Sequence, residues 1–482
     1  MRQPIEQALG VWSDGPGPLH RKLSDALRAA TENGRLAGGE RLPSERDLAR
    51  RLAVSRSTVV TAYDTLRSEG LLESRQGSGT RIGRSVGHRP DPLDTFQVSP
   101  VYRTLIDVRD DVISLACATS PAHPRVGEAI VETAADGAKL LAHNGYVPAG
   151  LPALRRELAA MFSARGTPTS EDQVLVTTGA QQAVSLATLM LVRSGDEVVV
   201  EAPSFSGTLD VFRTRGAEMT AVRIDDLGVD VRAVTQAVRA GRPAAIYVMP
   251  SYHNPTGAQL AANRRRDLAE LVVEHGVPLI EDNALENSPL DDEWIPPIAS
   301  FAPAAAPVLT AGSLSKVAWG GLRVGWLRGP APMIARLSEL KAMIDLGSPL
   351  FDQAVAARVI PHLDQLRDDQ RTLLNRNLAL VGDLLADLVP SWRWRPPKGG
   401  PSLWVELPSG TASAFSQVAL RFGVEVIPGD HMSPTGDDLR HLRLPYTAEP
   451  PVLQETMRRL AQAWAAYAPS DEPRTTPRPV VV

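Results

Sequence analysis

The sequence predicts an α/β protein with a small helical head, and three observations carry that prediction. From about residue 110 onward, short runs of β-branched and aliphatic residues alternate with longer helical stretches. Continuous apolar runs of this kind mark strands buried on both faces, hence a mostly parallel sheet with helices on each side. Residues 41–82 instead hold two short amphipathic segments followed by two short polar strands around a Gly-Ser-Gly turn. Finally, the chain has 482 residues, more than one ordinary core accommodates.

Composition is that of a globular protein, 43% hydrophobic and 22% charged, with a formal charge of −4. Charge is uneven, because residues 1–82 hold 13 Lys and Arg against 10 Asp and Glu. A basic head on an acidic body fits local contact with phosphate. The single cysteine, Cys117, excludes an intramolecular disulfide and a cysteine-built zinc site. Flanked by apolar residues in "ISLACATS", it reads as a small core residue. The first residues lack the apolar stretch of a signal peptide, and no apolar run is long enough to span a bilayer, so a cytoplasmic location is expected.

In the head, "SERDLARRLAV" opens with Ser44 as a helix cap and continues with Leu48, Leu52 and Val54 as buried positions. After a tight turn, "SRSTVVTAYDTLRSEG" places Val59, Val60, Tyr63 and Leu66 at helical spacing. Two short helices joined this way form a helix-turn-helix, whose second helix presents its first residues to the DNA major groove. Those residues are Ser55, Arg56, Ser57 and Thr58. "LLESRQGSGTRI" then forms a wing, with Arg75 and Gly77 at its turn. Arg41, Arg46, Arg56 and Arg75 stand at helix starts or turns, where phosphate contacts are made. Ordinary solvated arginines are the alternative for each.

Two composition breaks set the boundaries: a Pro- and Gly-containing linker at 83–109 and a Pro-rich, disordered tail at 468–482. Between them lie the runs "QVLVTTG", "DEVVVEAP", "AAIYVMP", "VPLIEDN" and "APVLTAG". Sheets of this class bind ligands beyond the carboxyl ends of their strands, and the polar clusters of the body follow those runs.

These clusters fit an aldehyde cofactor with a ring nitrogen and a phosphate. Lys316, after "APVLTAG", supplies an amine for a Schiff base. Asp282 closes "VPLIED" and offers an anion to the ring nitrogen. Gly179, Ala180 and Gln181 offer backbone N–H groups at a helix start, and Ser313, Ser315 and Arg323 add hydroxyls and a cation. Phe205 supplies an apolar face for the ring, and Asn254 in "SYHNPTG" a donor to its oxygen. Singly these residues are common; in this order they are not.

Residues 41–82 resemble the winged helix-turn-helix of GntR-family bacterial regulators, matching LPSxRxLAxxLxVSRxTVxxAYxxLxxEGxLxSxxGxGT. Residues 110–467 resemble the fold-type I aminotransferases, with a smaller C-terminal subdomain, and the two together are similar to the MocR subfamily of transcriptional regulators. The resemblance implies pyridoxal 5'-phosphate on Lys316 and a double-stranded DNA operator. It also implies a homodimer in which Tyr146 reaches the neighbouring subunit's phosphate. Arg443, in "HLRLPY", matches the arginine that grips a substrate carboxylate.

One departure stands out: relatives carry a tyrosine two or three positions after the pyridine-binding aspartate, where this chain has Ala284 and Leu285. Losing that hydroxyl costs about 1–3 kcal/mol of ring-oxygen stabilisation if nothing replaces it. The expected function is therefore a regulator sensing pyridoxal phosphate, or an amino compound reacting with it, with little turnover. The alternatives are an active aminotransferase and a regulator whose body only dimerises.

Overall fold

In the computed structural model, residues 5–14, 17–75, 79–83, 111–142 and 144–467 are described. Apart from Gly83, the expected linker 83–109 lies outside them, as does the tail 468–482. The head consists of α1 (Ile5–Leu9), α2 (Leu19–Glu32), α3 (Glu45–Arg51), α4 (Arg56–Ser68), β1 (Leu72–Arg75) and β2 (Gly79–Ile82). Ser44 and Ser55 cap α3 and α4 by accepting the N–H groups of Asp47 and Thr58, each at 3.1 Å. Leu48, Leu52, Val59, Tyr63 and Leu66 are buried in one small core with residues of α1 and α2. Val54 and Val60 are only half-buried, Val54 packing against the rim of that core. β1 and β2 pair antiparallel with Leu72 opposite Ile82, forming the wing.

β3 (Ile113–Ser114) opens the body. The large sheet contains β4 (Val174–Thr177), β5 (Glu197–Ala202), β6 (Glu218–Asp225), β7 (Gly228–Val229), β8 (Ala245–Val248), β9 (Leu279–Asp282), β10 (Val308–Ser313) and β11 (Gly325–Arg328). Their order is β4-β11-β10-β9-β8-β5-β6-β7. Contacts from β10 through β9, β8 and β5 to β6 are parallel, whereas β11 lies antiparallel between β4 and β10. Apolar clusters fill both faces of the sheet, matching the near-continuous burial of its central strands.

A smaller subdomain follows the 26-residue helix Leu363–Leu388. Its sheet comprises β12 (Arg393–Trp394), β13 (Ser402–Glu406), β15 (Ile427–Pro428) and β16 (His441–Pro445), in the order β12-β13-β16-β15. β14 (Val424–Glu425) pairs with β3, which ties the start of the body to this subdomain. A shared core including Trp392, Phe415 and Leu453 sits under the helices Ala412–Arg421 and Pro450–Ala466. The segment 115–119 thereby crosses from the small subdomain to the edge of the large sheet.

Candidate functional sites

On the head, the starts of α3 and α4 lie side by side: the Arg56 guanidinium is 3.6 Å from the Glu45 carboxylate, which Arg67 also holds at 3.0 Å. Ser44, Arg46, Ser55, Arg56 and Ser57 are exposed there, with Thr58 half-buried behind them. Ser55 shares hydroxyl contacts of 2.8 Å with Ser57 and Thr58, which rigidify the start of α4. Arg41 pairs its backbone with Arg81 and places its side chain close to Gly79, joining the wing to the same region. Most other head arginines are committed to carboxylates, Arg51 to Glu6 and Arg28 to Glu69 among them. Arg41 and Arg46 make no ion pair among the described residues. Arg75 ends β1, and Gly77 lies outside the described residues.

In the body, the carboxyl edge of the large sheet gathers residues separated by more than a hundred positions. Gly179 (φ 120°) precedes the helix Ala180–Leu191, whose start has no side-chain cap. Its first N–H groups therefore face outward with the positive end of the helix dipole, the arrangement that receives an anion. The loop is braced on several sides. The Gln181 amide donates to the Gly207 carbonyl at 3.0 Å, and the Thr178 N–H to Gln182 at 2.9 Å. Arg323 donates to the Thr178 carbonyl at 2.6 Å. A side chain on Gly325 would collide with the Gly179 backbone, so β11 needs glycine there to pass so close.

At the end of β10 the Ser313 hydroxyl meets that of Ser315 at 2.9 Å. Next in the chain, the Lys316 amine donates to the Ala118 carbonyl at 2.7 Å. Burial pushes that amine down to about 8, and the nearby Arg443 and Arg323 charges act in the same direction. Arg443, on β16, is itself buried and donates to the Ala116 carbonyl. Its Nε has no partner among the described residues, and burial lowers the guanidinium to about 10. The backbone of 116–118 is thus the common anchor for Lys316 and Arg443. Cys117 lies between those anchors and is exposed, correcting the expectation of a core residue. Its exposed side chain lies close enough to Lys316 and Arg443 to act electrostatically on both.

Asp282 closes β9 and is buried, its Oδ1 accepting the Ala284 N–H at 3.0 Å and its Oδ2 the Tyr247 hydroxyl at 2.8 Å. Burial raises the carboxyl above the ordinary aspartate range, while both donors pull it back. Tyr247 accepts in turn from Thr208 at 3.1 Å. Beside them Glu201 accepts the Met249 N–H at 2.7 Å, and burial pushes its carboxyl up to about 8. His253, 3.5 Å from Glu201, is lowered to about 3 by burial and stays neutral. Phe205 precedes the helix Ser206–Arg215 and is half-buried against the core of the sheet. Asn254 is half-buried, and its Oδ1 has no partner among the described residues.

Sequence reasoning missed Tyr247, Thr208 and Glu201. A tyrosine within the aliphatic run "AAIYVMP" and a glutamate within "VVVEAP" were the available signals, since each places a polar group inside a buried strand. Leu285, one of the two positions where the family resemblance implies a tyrosine, is buried near Gly400 and offers no hydroxyl. Tyr146 is 64% exposed, with its backbone N–H donating to Asn144 Oδ1 at 3.1 Å.

The fold and these two regions define a class: a winged-helix head joined to an aminotransferase-like body. The family model "Bacterial regulatory proteins, gntR family" matches residues 19–82, and "Aminotransferase class I and II" matches residues 118–462. The uncharacterized HTH-type transcriptional regulator YisV of Bacillus subtilis is 30% identical, over 89% of this chain and 92% of that protein. A 2-aminoadipate transaminase of Thermus thermophilus is also 30% identical, but over 66% of this chain and 80% of its own length. In structure, the α-aminoadipate aminotransferase LysN of Thermus thermophilus, solved with N-(5'-phosphopyridoxyl)-L-leucine, superposes with a TM-score of 0.69. The match is 27% identical and covers 78% of this chain and 96% of that one. The chain belongs to the MocR-type regulators, GntR-family transcriptional regulators with an aminotransferase class I and II body.

Proposed function

We propose that the body holds pyridoxal 5'-phosphate on Lys316, and that the cofactor, or an amino compound reacting with it, sets the affinity of the head for its DNA operator. The observation that carries this reading is the convergence of Lys316, Asp282, Asn254, Phe205 and the loop 179–181 at one sheet edge. The groups present suit that cofactor. A buried carboxyl such as Asp282 calls for a cationic partner, which a protonated ring nitrogen provides. The uncapped start at Gly179, with Ser313, Ser315 and Arg323 beside it, suits a phosphate, and the Nδ2 group of Asn254 is the donor that a ring oxygen would need. Bound there, the cofactor would supply an aldehyde for an amino group and an electron-withdrawing ring. Lys316, with its lowered amine, would serve as the nucleophile, and Phe205 would offer an apolar face to the ring. Arg443 has a buried, unpartnered Nε for a carboxylate or sulfonate on an effector.

Homodimerisation belongs to the same reading. Around Tyr146 the surface exposes Leu141 (87%), Met343 (81%), Ile344, Leu346 and Phe351. Gly347 packs against Val147, which brings the segment that carries Leu346 next to the one that carries Tyr146. Apolar faces of this kind mark interfaces, and a second copy would bring its Tyr146 to the neighbouring pocket. Two heads on one dimer would raise DNA affinity through bivalency. Regulation further requires that the ligand favour one placement of the heads. Among the described residues no helix is long and apolar enough to cross a membrane, and a cytoplasmic, nucleoid-bound regulator is the reading proposed.

The test is an absorption spectrum of the purified protein titrated with pyridoxal phosphate, beside Lys316→Ala. The wild type should develop a near-ultraviolet or visible band that borohydride removes. The variant should show only free cofactor; identical spectra would refute the reading.

A further inference from the structure

Behind Asp282 runs a chain of two hydroxyls, Tyr247 and Thr208, with no role in the reading so far. We propose that Tyr247, backed by Thr208, is the positioning residue that orients Asp282 toward the cofactor's ring nitrogen; this rests on the cofactor reading above.

An ionised carboxylate can only accept hydrogen bonds, so the Tyr247 hydroxyl, 2.8 Å from Asp282 Oδ2, must donate to it. That leaves the Tyr247 oxygen to accept, and Thr208 Oγ1 at 3.1 Å donates to it. The relay therefore has one polarity, Thr208 to Tyr247 to Asp282. With Ala284 N–H on the other oxygen, the carboxylate has one donor on each side and lone pairs left for a third.

The position of Tyr247 is fixed. It lies on β8, between β5 and β9, is fully buried, and packs edge-on to Phe212 with ring centroids 5.8 Å apart. Thr208 is fixed too, in the first turn of the helix that Phe205 precedes. Within four residues that turn carries the proposed ring-stacking side chain, the Gly207 carbonyl that braces Gln181, and the hydroxyl that starts the relay. One helix start thus sets the ring face, the phosphate loop and the anion in a common register. Glu201, with His253 3.5 Å away, is near enough to Asp282 to feel its charge, and neither makes a hydrogen bond to Asp282.

The experiment measures the affinity of the full-length protein for pyridoxal phosphate and for its 1-deaza analogue, in which the ring nitrogen is replaced by carbon. Tyr247→Phe keeps the ring in its packing and removes only the hydroxyl. It should weaken pyridoxal phosphate about tenfold, the worth of one hydrogen bond to a charged group, while binding of the analogue stays within about twofold. Thr208→Val, which leaves Tyr247 in place, should shift the same ratio in the same direction by a smaller factor. Equal losses for both ligands would assign Tyr247 a merely structural role and overturn the inference, as would no loss for either. A wild type that binds neither ligand would overturn the cofactor reading itself, and the inference with it.

Discussion

The head and the body build their sites in opposite ways. The head's candidate contacts are exposed, lie within residues 41–82, and sit at the starts of two short helices. The body's are mostly buried or half-buried, come from residues 179 to 443, and meet only because five strands end at one edge. Burial moves Lys316, Asp282, Glu201, His253 and Arg443 from their ordinary protonation ranges. A surface that recognises a phosphate backbone needs accessible charge and acts through counterion release. A pocket that manages a reactive aldehyde needs groups whose basicity the surroundings have altered. The two designs should therefore respond to different perturbations.

The largest separation is expected from pH. Only the neutral Lys316 amine attacks an aldehyde, and its lowered pKa, about 8, means that form dominates above pH 8. Capture of pyridoxal phosphate, followed by stopped-flow absorbance, should rise with pH up to about 8 and then level off. Between about pH 8 and pH 6 its rate should fall roughly fiftyfold, approaching tenfold per unit well below the pKa. A rate still climbing steadily at pH 10 would show an ordinary solvated lysine. A smaller effect is expected at the head. Arg56→Ala should weaken binding to a mixed-sequence duplex by about tenfold and reduce the slope of log affinity against log salt by about 1. Absorption of the cofactor-loaded body should not change. An unaltered salt slope would remove Arg56 from the phosphate contacts.

The same contrast explains what could be read from the sequence. Ser44 was legible as a cap because a cap is a local event, decided within three residues. Lys316, Asp282 and the Gly179 loop were legible because each follows a buried strand directly, and such strands announce themselves as apolar runs. The placement of β11 was not, since only tertiary packing inserts Gly325–Arg328 antiparallel between β4 and β10. Tyr247 and Thr208 are 39 residues apart and gain their relation to Asp282 only when β8 and its neighbouring helix come together. Cys117 was misjudged for a related reason: its apolar neighbours suggest a core, yet it is exposed between two carbonyls that bond Lys316 and Arg443, a placement decided only by tertiary packing.

The central claim is that chemistry at Lys316 is communicated to DNA, and the contacts available include Ser13 to Gln417 and Arg421 to the Ala53 carbonyl, at 3.0 and 3.2 Å. The most direct measurement is DNA affinity of the full-length protein, on an operator selected from a random-sequence pool, with and without pyridoxal phosphate. The account predicts a shift of about tenfold or more in the wild type, the usual scale of coupling between two sites, and none in Lys316→Ala. An affinity that ignores the cofactor in the wild type, or shifts equally in the variant, would contradict it.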